Sequence, residues 1–402
     1  MKILVIGAGV AGLFFASFME NKKVQVLDKN EFSGRKLLAT GNGRCNFTNL
    51  NNNPSFYYSN NEGFVDFALE NFSQKDLIDY FYNLGIPSTN LPSGRCYPLT
   101  FSAKTVRDGL FLEAYPKADF VFNEEVKSVD FDKKKVSTYD KSFHYDKLII
   151  ATGGKTLANS GSDGKIFDLI KDKIPITDLT FGISNYKSKQ RFSKKAKGTK
   201  ITGTASLIVD GNVVIDSTDD IIFQDYGLTG TAILDISNDL SLALLGKKKC
   251  QIEVDFFPSF SKNDFENYLQ NIIGRYPNRT VFEFLIGIIN EKLIEDICKL
   301  SKISPDKKLK SLNQKDIKML IKSLKNLRFD VSDIHDKTNA QVTLGGVDTT
   351  YINPKTFAST IYPDVHFIGE VLDVAGACGG YNIQWAASSA KACADYLRSL
   401  DV

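Results

Sequence analysis

The stretch KILVIGAGVAGLFFASFM, residues 2–19, sets the terms for everything that follows. Lys2 to Ile6 is a short β-branched run suited to a buried parallel strand, and the residues after Gly12 up to Met19 are apolar with helical character. Between them Gly7, Gly9 and Gly12 form G-x-G-x-x-G, with Ala11 inside the turn. Gly7 permits the tight turn, Gly9 lets backbone approach a pyrophosphate, and Gly12 lets helix and strand pack closely. A second strand, Val24 to Leu27, ends in the acid Asp28, placed to accept hydrogen bonds from a ribose diol. Strand, glycines, helix, strand and acid together predict a Rossmann-like dinucleotide site, with phosphates at the helix N-terminus. The punctuating glycines and the lack of an A-x-A-like site argue against reading this stretch as a leader peptide.

The residues that follow depart from a plain nicotinamide-binding half. From Lys29 to Asn49 the chain reads as a long polar loop dense in donors, among them Arg35, Lys36, Asn42, Gly43, Arg44, Asn46 and Thr48. Such a loop suits an extended dinucleotide. Farther on, Lys147 to Ala151 is a second strongly apolar strand that delivers Thr152, Gly153 and Gly154 at its carboxyl end, where ligands of parallel sheets sit.

Composition narrows the class. Of 402 residues, 43% are hydrophobic and 24% charged, which fits an ordinary globular chain large enough for two or three packed units. The net charge of +3 neither requires nor excludes a nucleic acid, since clustering decides that. Six scattered cysteines without a C-x-x-C pair, and only three histidines, point to a reduced cytoplasmic protein with no structural metal. The histidines, His144, His335 and His366, all fall in segments that read as sheet or linker. No apolar run approaches the ~20 residues needed to span a bilayer, so no membrane partner is expected.

From about Tyr186 the pattern changes. Lys187, Lys189, Arg191, Lys194, Lys195, Lys197 and Lys200 occur with no acid among them, a candidate contact for phosphate or RNA. Alternating stretches such as TASLIVD and DIIFQDYG then predict an antiparallel, barrel-like β unit, and after Pro258 the pattern turns helical, with starts near Asn263, Pro305 and Asn313. The expected organisation is an α/β first domain over 1–185, interrupted by a β domain over 186–258 and a helical domain over 259–334, and completed by 335–402. In that last part Val365 to Glu370 is a strand ending in Gly369-Glu370. It is followed by Asp373, Gly379, Gly380, Tyr381, Asn382 and a helix from Ile383. The single tryptophan, Trp385, reads as core.

Taken in order, GAGVAGL, GRKLLATGNGRCNFTN, GRCYP, ATGG, YGLTGTAIL, TLGGV and GEVLDVAGACGGYNIQWA resemble the HI0933-like family of FAD-dependent oxidoreductases over nearly the whole chain. The resemblance implies a split FAD domain with inserted β and helical parts. It also implies FAD contacts at Gly7, Gly9, Gly12, Asp28, Arg35, Lys36, Asn46, Gly153, Gly369, Glu370, Asp373, Gly380, Tyr381, Asn382 and Ile383. In flavoproteins of this layout the strand near Val126 passes the adenine. The helix from Ile383 would aim its dipole at the pyrimidine end of the flavin. Asp28 stands where Glu is more usual, ATGNGRC where SGGGRC is typical, and Cys96 where an apolar residue is usual.

No second strand–G-x-G-x-x-G–helix is present, so NAD(P)H would dock transiently at the flavin face, or the reductant is something else. Three readings stay open. One is an oxidoreductase acting on a small molecule, by reducing an activated carbon–carbon double bond or oxidising a small amine. Another is reduction of uridine to dihydrouridine in ribosomal RNA, with Cys45, Cys378 or Tyr381 as candidate proton donors. The last is a non-enzymatic FAD-binding redox or assembly protein.

Overall fold

Ile3–Ile6 is buried along its whole length because parallel strands flank it on both sides. In this computed structural model, which describes residues 1–20 and 24–400, the five parallel strands run in the order Val365–Phe367, Lys147–Ile150, Ile3–Ile6, Val24–Leu27, Asp119–Val121. The chain moves outward from Ile3–Ile6 in one direction first and in the other later. The switch point therefore lies between Ile3–Ile6 and Lys147–Ile150, where open α/β sheets bind ligands at their carboxyl ends. The helix Val10–Phe18 packs against the C-terminal helix Tyr381–Ser399, so the last segment of the chain covers the first.

The chain divides into Met1–Gly182 with Thr338–Val402, and Ile183–Lys337. Within the first unit, Thr180–Gly182 pairs antiparallel with Val342–Leu344, so the points of exit and return are neighbours. Within the second, six strands close a barrel in the order Asn185–Ser188, Gly227–Thr229, Asn212–Phe223, Lys200–Val209, Cys250–Asp255, Leu327–His335. Closure removes the exposed edges that an open antiparallel sheet would present.

This corrects the expected boundary at 258/259. The closing strand Leu327–His335 comes after the helices Lys262–Arg275, Val281–Leu285, Glu291–Ser301 and Gln314–Lys325, and pairs with both Cys250–Asp255 and Asn185–Ser188. The helices are thus an excursion between two barrel strands, and barrel and helices form one unit. Pairing between distant strands leaves no local trace in sequence.

Smaller differences have local causes. The first excursion helix begins at Lys262 because Ser261, not Asn263, accepts the Asp264 N–H as cap. Asn313 caps Gln314–Lys325 in a reciprocal box with Asp316, as expected, whereas Pro305 starts no helix. Residues 29–49 are not one loop, since they contain the short helix Arg35–Leu38 and the strand Thr48–Asn49, which pairs with Arg95–Pro98. The C-terminal helix starts at Tyr381, two residues before the expected Ile383. Val126 lies between Asp119–Val121 and Ser128–Asp130, outside any strand.

Trp385 is core, ringed by Tyr57, Phe64 and Phe357, with its Nε1 donating to the Gly369 carbonyl at 3.1 Å. His366 sits in the strand Val365–Phe367, fully buried, with Nδ1 2.9 Å from the Thr356 carbonyl and no partner for Nε2. Burial pushes its imidazole from the ordinary 6.5 down to about 4. The folded state therefore holds the neutral ring, and its contribution is complete above pH 6.5 and lost as pH falls towards 4. Urea denaturation should show stability falling by up to about 3 kcal/mol across that window, and His366→Gln should flatten the slope. An unchanged slope in the variant would refute the assignment.

Candidate functional site

The turn after Ile3–Ile6 is held by backbone and one carboxylate. Gly7, at φ +105°, donates its N–H to the Leu27 carbonyl at 2.8 Å, and a Cβ there would stand 2.6 Å from the Ala151 carbonyl oxygen. A Cβ on Gly12 would stand 1.9 Å from the Gly7 carbonyl oxygen, so glycine is what lets helix and strand meet. Gly9 differs. Its backbone is extended, and a Cβ would find only the Ala151 oxygen, 3.9 Å away, so the missing side chain leaves open space on the cleft. The helix Val10–Phe18 has no side-chain cap, which leaves its first N–H groups without intrahelical partners.

Asp28 braces this turn. Its Oδ2 accepts the Ala8 N–H at 2.7 Å, and its Oδ1 accepts the Asn30 N–H and Nδ2 at 2.8 and 2.9 Å. A carboxylate has about four acceptor sites, so one remains for a ribose hydroxyl. Arg35 Nη1 donates to Asn30 Oδ1 at 2.9 Å, which aligns the whole row.

Across the cleft, Lys36 Nζ donates to both oxygens of Glu370, at 2.9 and 2.6 Å, and to Thr156 Oγ1 at 2.8 Å. Glu370 Oε1 also accepts the Thr343 N–H and hydroxyl at 2.9 and 3.0 Å. Residues expected as separate cofactor contacts thus form one network. Gly154 serves it: a Cβ there would lie 2.1 Å from Thr343 Oγ1. Elsewhere on the lining, Lys29 pairs with Asp163 at 2.8 Å, and Glu125 is held down to about 2 by Lys127 and Lys165.

The cleft brings together Gly7, Gly9, Ala11, Asp28, Lys29, Arg35, Lys36, Val126, Thr152, Gly153, Gly154, Glu370, Asn382 and Ile383. Asn382 also works behind the lining, and other expected residues lie off it. The Asn382 side chain pairs with both backbone groups of Gly376, at 2.8 and 2.9 Å, and so fixes the loop before its own helix. Gly380, at φ +102°, lets that loop pass the Thr48 carbonyl, and Asn49 Nδ2 donates to the Gly379 carbonyl at 3.2 Å. Gly369 packs against Ala11, and Asn46 lies beside Gly380. Arg44 stands over the Tyr97 ring, while Gly43 is exposed outside the lining. Asp373, raised by burial and held by Thr177, Asn60 and Gly345, is also off the lining.

None of the expected proton donors lines the cleft. Cys45 is in the core, its thiol pushed up to about 12 by burial, and Tyr381 is buried in a stack on Phe56 at 4.8 Å. Cys378 alone of the three keeps partial exposure. Asn30, Glu125, Gln341 and Ser160–Lys165 line the cleft without having been singled out, although the SGSDGK run at 160–165 carries a recognisable Gly/Ser signal. Of the basic loop, Lys195, Lys197 and Lys200 pair with Glu295, Asp225 and Asp220, and Lys189 lies near Asp330. Lys187, Arg191 and Lys194 make no ion pair among the described residues.

A family model described as the HI0933-like protein Rossmann domain matches residues 1–396. The chain belongs to the HI0933-like family. It is therefore an FAD-dependent oxidoreductase, which sets aside the non-enzymatic reading. The chain is 29% identical to a 3-dehydro-bile acid delta(4,6)-reductase of Clostridium scindens, over 96% of each protein. It is 31% identical to a ribosomal RNA dihydrouridine synthase of Escherichia coli, over 98% of this chain and 97% of that protein. It is 27% identical to the Haemophilus influenzae protein of the same name, over 97% of each. Among the described residues no helix is long and apolar enough to cross a membrane.

The cleft fits FAD on its own terms, with open space at Gly9, a helix start behind it that no side chain caps, and the Arg35 guanidinium on the lining. Gly9→Val should leave the apoprotein's melting temperature unchanged while weakening FAD binding at least about tenfold in a flavin-fluorescence titration. Gly12→Ala should instead lower the melting temperature, by overpacking worth about 1–3 kcal/mol. Equal FAD affinity in Gly9→Val would contradict the assignment.

Proposed function

We propose that the protein reduces a carbon–carbon double bond conjugated with a carbonyl, using a nicotinamide nucleotide that docks transiently as reductant. The observation that carries this reading is that relatives aligned over nearly their whole length bear names describing such reductions, of a bile-acid dienone and of the uracil ring. None of these names refers to amine oxidation, so reduction is the branch we favour.

FAD, when bound, supplies hydride transfer through its N5. The chain's own groups supply the rest. Val10, Ala11 and the Arg35 guanidinium hold the diphosphate, and Asp28 with Asn30 holds the ribose, while Lys36 and Lys29 stay paired with Glu370 and Asp163. The uncapped first turn of Tyr381–Ser399, with Asn382 and Ile383 on the cleft, favours negative charge at the pyrimidine edge of the reduced ring. Cys378 lies off the lining, on the loop that Asn382 fixes, and as the one expected donor with partial exposure it is our candidate for the proton that completes saturation at the carbon next to the carbonyl.

Ribosomal RNA is the second substrate reading, supported by the relative at 31% identity and by the charge of the inserted unit. Residues 183–337 carry 25 Lys and Arg against 20 Asp and Glu, in a chain whose total is only +3.

Anaerobic stopped-flow mixing should show flavin reduction by NADH or NADPH, followed by reoxidation on adding an enone. Cys378→Ala should slow the second step at least about tenfold and spare the first. A flavin that neither nucleotide reduces would sink the proposal. Mapping dihydrouridine in ribosomal RNA with and without the gene separates the substrates: a missing site selects RNA, an unchanged map the small molecule.

A further inference from the structure

We propose that a cleft wholly within the inserted unit, between Lys262–Arg275, Gln314–Lys325 and the barrel strand Leu327–His335, binds the phosphodiester backbone of RNA. This rests on the RNA reading above and assigns where the polymer is held.

The cleft encloses about 730 Å³ and draws cations from three elements: Lys262 from one helix, Lys318 and Lys322 from another, and Arg328 from the strand. Lys318 and Lys322, four residues apart, share a helix face with Lys315, three residues before Lys318. Among the described residues, Lys262, Lys318 and Lys322 are exposed and make no ion pair. The cleft's acids do not cancel them. Glu253 is engaged by Arg328 Nε at 2.7 Å and by Asn326 at 3.0 Å, which leaves Glu266 as the one lining acid without an ion pair.

The basic loop around Lys194 looks more promising in sequence. In the fold three of its lysines meet acids that come from elsewhere in the chain, so much of its field is cancelled locally. The helix-borne lysines keep theirs. The chain's positive excess lies in the inserted unit, with 25 basic against 20 acidic residues, whereas the FAD-binding unit has 25 against 27. A flexible phosphate chain is suited to point charges on long stems lining an open cleft, because lysine offers charge without demanding one fixed geometry.

The test uses full-length, FAD-loaded protein and a fluorescein-labelled RNA hairpin read by anisotropy across a salt series, with tripolyphosphate as the free-phosphate probe. The double substitution Lys318→Glu with Lys322→Glu should weaken RNA binding at least about tenfold and reduce the salt slope by about 2. Glu266→Gln should tighten binding. Equal affinity of wild type and double variant, or no RNA binding by wild type, overturns the proposal. Tripolyphosphate that binds at the cleft and is not displaced by RNA also overturns it, in favour of a free phosphate ligand. If the double variant loses FAD, Lys262→Gln replaces it, and its RNA affinity decides. Enone turnover on the same preparations reports separately on the catalytic reading, and it should be unchanged in every variant.

Discussion

Everything at the site depends on one pairing: Val365–Phe367 adding in parallel to Leu148–Ile150, at the edge of a sheet whose centre was laid down by the first six residues. That pairing brings Glu370 to Lys36, the Trp385 indole to the Gly369 carbonyl, and the helix Tyr381–Ser399 against Val10–Phe18. It requires residues 183–337 to leave and return at one place, which Thr180–Gly182 and Val342–Leu344 provide. Loop closure grows only as the logarithm of length, about 0.6 kcal/mol per doubling, so a large insertion with adjacent ends burdens the host domain little.

The cleft is built chiefly from backbone and from charges that neutralise one another. Gly7 and Gly12 are steric necessities of the turn, while Gly9 is an opening. Asp28 does double duty, since it satisfies the Ala8 and Asn30 N–H groups and keeps one acceptor site free. The Lys36–Glu370 pair is largely shielded, and a shielded pair carries a desolvation cost that only further hydrogen bonds offset. Thr156 and Thr343 supply those bonds, which accounts for two threonines that the sequence alone gives no reason to connect.

Legibility in the sequence followed the range of the interaction. GAGVAGL with Asp28 revealed the first βαβ half, and ATGG revealed the strand beside it, because glycine turns and apolar runs are local signals. The Asn313 cap was legible for the same reason. What required distant partners was not. Alternation announces an antiparallel β unit, yet the strand that closes its barrel lies beyond four helices, so local pattern separates barrel from helices. Lys195, Lys197 and Lys200 looked unopposed because Glu295, Asp225 and Asp220 are remote in sequence. The motif residues Cys45 and Tyr381 turned out to lie behind the site, and Asn382, on the lining, spends its side chain on Gly376: a motif marks a position that matters and does not say which way its side chain points.

One cleft is lined from both ends of the chain, and we propose that it holds a single FAD. A crystal structure of the protein grown with FAD tests it most directly. The expected density places the diphosphate against the Gly9–Ala11 backbone, the adenosine ribose at Asp28, and the isoalloxazine at the first turn of Tyr381–Ser399. Density for FAD that touches only residues 1–182, with the C-terminal helix uninvolved, would contradict it.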